Sequence, residues 1–343
     1  MNWWIYVVGI LGLALLMVVH ETGHLIAARA FGMRVIKFSI GFGPALWRHQ
    51  PKGSDTLYQV ALIPFLAYVQ IAGMNPLEEI DPEDKGSYAN ASLIGRISAI
   101  FAGPLANYLF ASVFFFAAFM IRGEPVPTTR IELLPEGVAK SAHMKDGDKI
   151  VAINGTRIAT WDQMREKILA SPNKPLEFVV ERGGKQQTLK ITPAAKGEGG
   201  GGQIGVRPIA DLIPMSAQAA AVRSVVEPAK VVELLVVSLA RILTGKDKPQ
   251  LSGPVGIVRE VSRAAQRSWA DYLYLLGLLS AYLGGFNLVP FPALDGGRLM
   301  FLGYEAVTRR RPNAKVEAQV HMVGLVMLLA LILVVTVFDI RGN

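Results

Sequence analysis

Residues 3–24 read WWIYVVGILGLALLMVVHETGH, an uncharged run that ends in three ionisable side chains, His20, Glu21 and His24. A helix needs about 20 apolar residues to cross the hydrocarbon core of a bilayer, and the stretch 3–31 is longer than that. Its tryptophans and tyrosine suit a membrane interface, which carries His20, Glu21 and His24 toward the cytoplasmic side. Ionisable groups at membrane depth are costly and are kept for function. The run has no basic leader and no small-residue cleavage site, so it is expected to stay in the mature protein.

The spacing says what that function is. Positions four apart lie above one another on a helix, so His20 and His24 share a face and Glu21 sits one step round it. Histidine, glutamate, two spacers and histidine is the arrangement of helical zinc hydrolases, in which the histidines bind the metal and the glutamate works on its water. The chain has no cysteine, which excludes disulfides and thiolate chemistry and leaves His, Asp and Glu as metal ligands.

Charge orients the chain. The formal net charge is +8, and the basic residues cluster: Arg29, Arg34, Lys37, Arg48 and Lys52 follow the first span, and Arg298, Arg309, Arg310, Arg311 and Lys315 follow a later one. Both regions are therefore expected on the cytoplasmic side. No aromatic or zinc-finger pattern accompanies this charge, which excludes nucleic acid as the partner.

Between the clusters, residues 57–71 carry β-branched and aromatic residues on both sides of Pro64. They read as a β-hairpin that dips into the membrane face, tolerable only where protein or a cavity satisfies its backbone, and its edge suits strand addition by an extended substrate. Residues 97–121 are uncharged and predict a second transmembrane helix, entered through Gly103-Pro104-Leu105-Ala106-Asn107, whose small residues allow close packing on the first helix. Residues 123–208 turn soluble in composition, with strand-like runs, an Asn154-Gly155 hairpin signal and a flexible glycine-rich run at 196–202. Residues 231–243 predict an amphipathic helix on the outer surface. A third span is expected over 272–294, broken by Pro290 and Pro292, and a fourth over 320–338, with His321 as an ordinary interfacial histidine.

Two histidines do not complete a catalytic zinc site, which takes three protein ligands and a water. Asp295 is the best third ligand, at the end of the broken segment where a cavity must lie, with helix capping as its ordinary alternative. Glu21 would take the water's proton and return it to the leaving amine, and Asn287 would hydrogen-bond the substrate backbone or the developing oxyanion. The substrate helix must first unwind, and water must reach the site by a polar channel or gate.

His20-Glu21-Thr22-Gly23-His24, the 287–297 segment NLVPFPALDGG and Gly103-Pro104-Leu105-Ala106-Asn107 together resemble the site-2 protease family (M50) of intramembrane zinc metalloproteases, and within it the bacterial proteases that regulate sigma-E. The resemblance covers nearly the whole chain. It implies His20, His24 and Asp295 as Zn²⁺ ligands, Glu21 as catalytic acid and base, and Asn287 in substrate handling. It also implies that 57–71 is a membrane-reentrant hairpin engaging the substrate and that 251–254 belongs to the outer surface helix region. Residues 134–139 and 144–155 resemble the segments framing a PDZ peptide groove; one such domain is evident, where the enteric sigma-E proteases carry two.

The expected fold is thus a polytopic α-helical membrane protein with four transmembrane helices, a membrane-reentrant β-hairpin and an inserted β-rich PDZ-like domain. Its parts are residues 1–122 (first span, hairpin, second span), 123–208 (the extracytoplasmic insert) and 209–343 (surface helix, broken third span, fourth span). The expected function is zinc-dependent endopeptidase cleavage, in a bacterial inner membrane, of single-span membrane proteins such as anti-sigma factors or remnant signal peptides, already trimmed by another protease. Membrane lipids surround the chain, and the insert meets the substrate's ectodomain or carboxy terminus. Two other readings differ in class. A membrane metal transporter with a PDZ-like accessory domain would need ionisable residues along several spans, which the second and fourth lack, and a catalytically dead scaffold would leave Glu21 without a purpose.

Overall fold

The computed structural model describes residues 3–79, 81–135, 137–195, 200–247 and 253–341. Glu136 of the groove-like segment, residues 196–199 of the glycine-rich run, and Leu251 and Ser252 of the surface segment lie outside the described residues. Internal packing divides the chain into two units, Met1–Ile121 with Ser216–Asn343, and Arg122–Met215.

In the first unit, α1 (Trp3–Ala30) is apolar on all sides up to Val19, as a helix surrounded by lipid and protein must be. Its close approaches are made at glycines. A Cβ on Gly9 would meet Ser262, one on Gly12 would meet Tyr272, and one on Gly23 would overlap the Ala102 carbonyl. Strands β1 (Val35–His49) and β2 (Leu57–Ile71) pair antiparallel. Residues 37–40 of β1 pair with both 57–60 and 67–70 of β2, and 45–49 of β1 pair with 58–61, so 58–60 are flanked on both edges; among the described residues only the 67–71 end of β2 has an edge with no strand partner. Helix α2 (Leu93–Arg122) contains Pro104, which contributes no amide to the helical ladder.

The second unit holds β3 (Glu124–Leu133), α3 (Val138–Ser141), β4 (Lys149–Ile153), β5 (Thr156–Arg157), α4 (Trp161–Leu169), β6 (Leu176–Arg182), β7 (Lys185–Ile191), β8 (Ala194–Ala195), β9 (Gly202–Gln203) and β10 (Val206–Ile213). The main sheet runs β10-β3-β4-β6-β7, with β5 on β4. Alternation selects its core: Leu176, Phe178 and Val180 of β6 point inward with Ile131, Ile150, Ile153 and Met164. Two-residue turns at Asn154-Gly155 and Gly183-Gly184 have positive φ at both positions, the geometry that matches the strand twist. Thr160 caps α4 by accepting from the Gln163 amide.

The first unit resumes with α5 (Ala217–Leu243), α6 (Pro254–Arg267), α7 (Trp269–Asn287), α8 (Asp295–Thr308) and α9 (Ala314–Arg341). Helix α5 packs on α7 through its face containing Ala220, Ser224, Pro228 and Val231. It starts well before residue 231.

The expectation of four transmembrane helices is corrected. Among the described residues three helices are long and apolar enough to cross a membrane: Trp3–Ala30, Leu93–Arg122 and Ala314–Asp339. The stretch 272–294 is continuous in hydropathy and discontinuous in backbone. Pro290 and Pro292 cannot donate, so α7 stops at Asn287 after 19 residues, roughly 28 Å at 1.5 Å each, and Leu288–Leu294 add nothing to its length. Tyrosines, glycines, Ser280 and Asp271 dilute what remains. The β regions are corrected too. Residues 35–71 form an open, curled sheet of β1 and β2 with no membrane re-entry shown, and the sheet of the insert is open along β10 and β7, so the expected membrane-reentrant hairpin and PDZ-like domain are replaced by open β structure. The chain is a polytopic helical membrane protein with three candidate spans and open β structure.

Candidate metal centre

Helix α1 turns the imidazoles of His20 and His24 into the interior, where both are buried. Helix α8 begins at Asp295, whose carboxylate faces the two rings. The turn before it is tight. The Phe291 amide donates to the Val289 carbonyl at 2.7 Å, and Ala293 has a φ of 74°, left-handed for a residue with a side chain. Side chains on Gly296 or Gly297 would overlap the carbonyls of Val289 and Phe291, so only glycines let the first turn of α8 fold back on this loop.

His20 Nε2 lies 3.1 Å from Asp295 Oδ2, His24 Nε2 lies 3.5 Å from the same oxygen, and the two Nε2 atoms are 3.2 Å apart. The outer nitrogens fix the proton positions. His24 Nδ1 donates to the Ala99 carbonyl at 2.7 Å, which leaves its Nε2 a bare acceptor. His20 Nδ1 is 3.1 Å from Asn107 Nδ2, while Asn107 Oδ1 is buried without a partner among the described residues. With the carboxamide turned to present Oδ1, Asn107 accepts from His20 Nδ1 and His20 Nε2 becomes a second bare acceptor. Asp295 Oδ2 is also buried without a hydrogen-bond donor. In these tautomers three acceptor atoms converge, an arrangement that suits a cation. Ligand atoms 2.0–2.2 Å from a tetrahedral zinc sit about 3.3–3.6 Å apart, close to the spacing found here. The residues present fit a metal ion: among the described residues His20, His24 and Asp295 form the cluster able to hold one.

Glu21 follows His20 in the chain, and its Oε2 accepts from the Val69 amide of β2 at 2.9 Å. Asn287 ends α7, its Nδ2 donating to the Leu283 carbonyl at 2.9 Å. Beside the centre a cavity of about 630 Å³ is bordered by Tyr68–Ile71 of β2, by Ala293 and Arg298, and by His321 and Met322 of α9.

Sequence reasoning put Asn107 at membrane depth as a packing residue; its partnership with His20 depends on how two helices cross, which spacing along one helix does not encode. Gly103 was read for close packing, and its strict reason is that a Cβ there would fall on the His24 imidazole. Val69 carried no signal at all, since its contribution is a backbone amide.

The sequence profile described as peptidase family M50 matches residues 8–331. A zinc metalloprotease RasP of Geobacillus kaustophilus is 32% identical, the alignment covering 94% of each chain. A zinc metalloprotease RasP of Oceanobacillus iheyensis is 28% identical over 97% of each chain, and the regulator of sigma-W protease RasP of Bacillus subtilis is 28% identical over 94% of each.

Proposed function

This chain belongs to peptidase family M50, the zinc-dependent intramembrane proteases, and from that premise we propose that His20, His24 and Asp295 hold Zn²⁺ while Glu21 moves the proton in hydrolysis of a membrane-embedded peptide bond. The observation that carries the assignment is the convergence of three bare acceptor atoms from α1 and α8 with Glu21 in the same turn of helix. When bound, zinc supplies Lewis acidity, making a water acidic near neutral pH and polarising a carbonyl oxygen.

The protein's own groups do the rest. Glu21, held by the Val69 amide, accepts a proton from the attacking water and delivers it to the leaving nitrogen as the C–N bond breaks. Ala99 and Asn107 keep both imidazoles in the tautomer that presents Nε2. Asn287 exchanges its bond to the Leu283 carbonyl for one to the substrate backbone or the developing oxyanion. A substrate helix hides its amides, so it must unwind. The edge of β2 at residues 68–71, without a strand partner among the described residues and beside the cavity, suits an extended segment held by main-chain hydrogen bonds.

The substrates we assign are single-span membrane proteins trimmed beforehand by another protease, anti-sigma factors and remnant signal peptides among them. The β-rich insert 123–208 meets their ectodomain or new carboxy terminus outside the cytoplasm, and the protein resides in a bacterial cytoplasmic membrane. Replacing Glu21 with Gln in purified, lipid-reconstituted protein tests the reading. Bound zinc should persist at the wild-type ratio while cleavage of a model transmembrane substrate falls at least about 100-fold. Undiminished cleavage would sink the assignment.

A further inference from the structure

His321 has two ends with different fates. Its Nδ1 accepts a hydrogen bond from the Ala293 amide at 3.1 Å, which places the imidazole proton on Nε2. That Nε2 is buried and has no partner among the described residues. The ring lies on the wall of the 630 Å³ cavity, across from Tyr68, Val69 and Gln70 of β2. One turn further along α9, Gly324 lets the helix press against Pro292, where any side chain would overlap the proline. Helix α9 thus grips the loop that delivers Asp295 at two points, and the same histidine keeps a buried, unused donor within the wall that faces β2.

A buried donor without an acceptor is costly and calls for an explanation in what occupies its surroundings. The cavity is bounded by a strand edge, so its fitting occupant is extended backbone, whose carbonyls are acceptors. We infer that His321 is a substrate-positioning residue: its Nε2–H donates to a main-chain carbonyl of the unwound substrate segment seated between β2 and α9, while its Nδ1 steadies the Asp295 loop. The inference rests on the proteolytic reading of the centre.

Asparagine and glutamine separate the two ends, because Asn places an amide oxygen near the Nδ1 position and Gln places an amide near the Nε2 position. In the zinc-loaded full chain, His321→Asn should keep zinc affinity, measured by chelator competition, within about twofold. It should weaken the dissociation constant of a single-span peptide about tenfold, equivalent to about 1.4 kcal/mol. His321→Gln should do the reverse, keeping peptide affinity and weakening zinc binding about tenfold. Peptide binding is measured in a Glu21→Gln background, so it reads the histidine without turnover, and failure of wild-type cleavage is scored separately. Unchanged peptide affinity in His321→Asn overturns the inference. So does a parallel loss of peptide and zinc affinity in both variants, the outcome of a merely structural role.

Discussion

At the residue scale the centre depends on what is small as much as on what binds. Gly103 of α2 lies against the His24 ring, so Gly103→Ala should push that ligand aside and weaken zinc at least about 10-fold in chelator competition, with helical content unchanged by circular dichroism. Asn107→Ala should cost about 10- to 100-fold by a different route, freeing His20 to rotate or change tautomer. The pairing of His20 with His24 was legible, because four residues make one helical turn. The supporting groups were not: Ala99 contributes a carbonyl, Val69 an amide and Gly103 an absence, none of which has a residue-type signature. His321 was visible as a residue but its bond to the Ala293 amide was not, since Ala293 lies in a loop whose shape only the packing of α8 and α9 determines.

At the scale of elements, the short strands and turns of the insert were readable from alternation and from Asn154-Gly155, whereas the extent of α7 was not, because hydropathy runs through a proline break that backbone geometry does not cross. The insert also holds a polar element within its sheet. Asp148, buried just before β4, accepts from Arg182 Nε and Nη2 at 2.7 Å each and from the Lys145 amide at 2.9 Å. Burial pushes this carboxyl up, but the Arg182 guanidinium and the Lys145 amide outweigh it and hold the group below the usual carboxylate range. A carboxyl lowered in the folded state stabilises it above the unfolded value of about 3.9, and that stabilisation is lost as pH falls from there through the folded value. Hydrogen exchange of β4 and β6 in the full chain should therefore be level from pH 7 to 5, after correction for intrinsic rates, and accelerate below about pH 4. Asp148→Asn should cost the insert about 2 kcal/mol already at pH 7.

At the scale of the whole molecule, α1, α2 and α9 carry much of their apolar surface outward, as in Leu11, Leu109, Val326 and Leu333, which suits hydrocarbon and not water. The native chain has no cysteine, so single introduced thiols report sidedness without background. In sealed cells, Gln186→Cys in the insert should react with a membrane-impermeant maleimide, and Lys52→Cys between β1 and β2 should react only after permeabilisation. The reverse pattern would invert the orientation drawn from the basic clusters. The centre itself has a temporal consequence. His20 enters the bilayer early in synthesis, but Asp295 emerges from the ribosome only after most of the polypeptide has been threaded and folded. On the proposed ligand set, a half-made or truncated molecule lacking Asp295 should therefore cleave nothing, because the blade is assembled last.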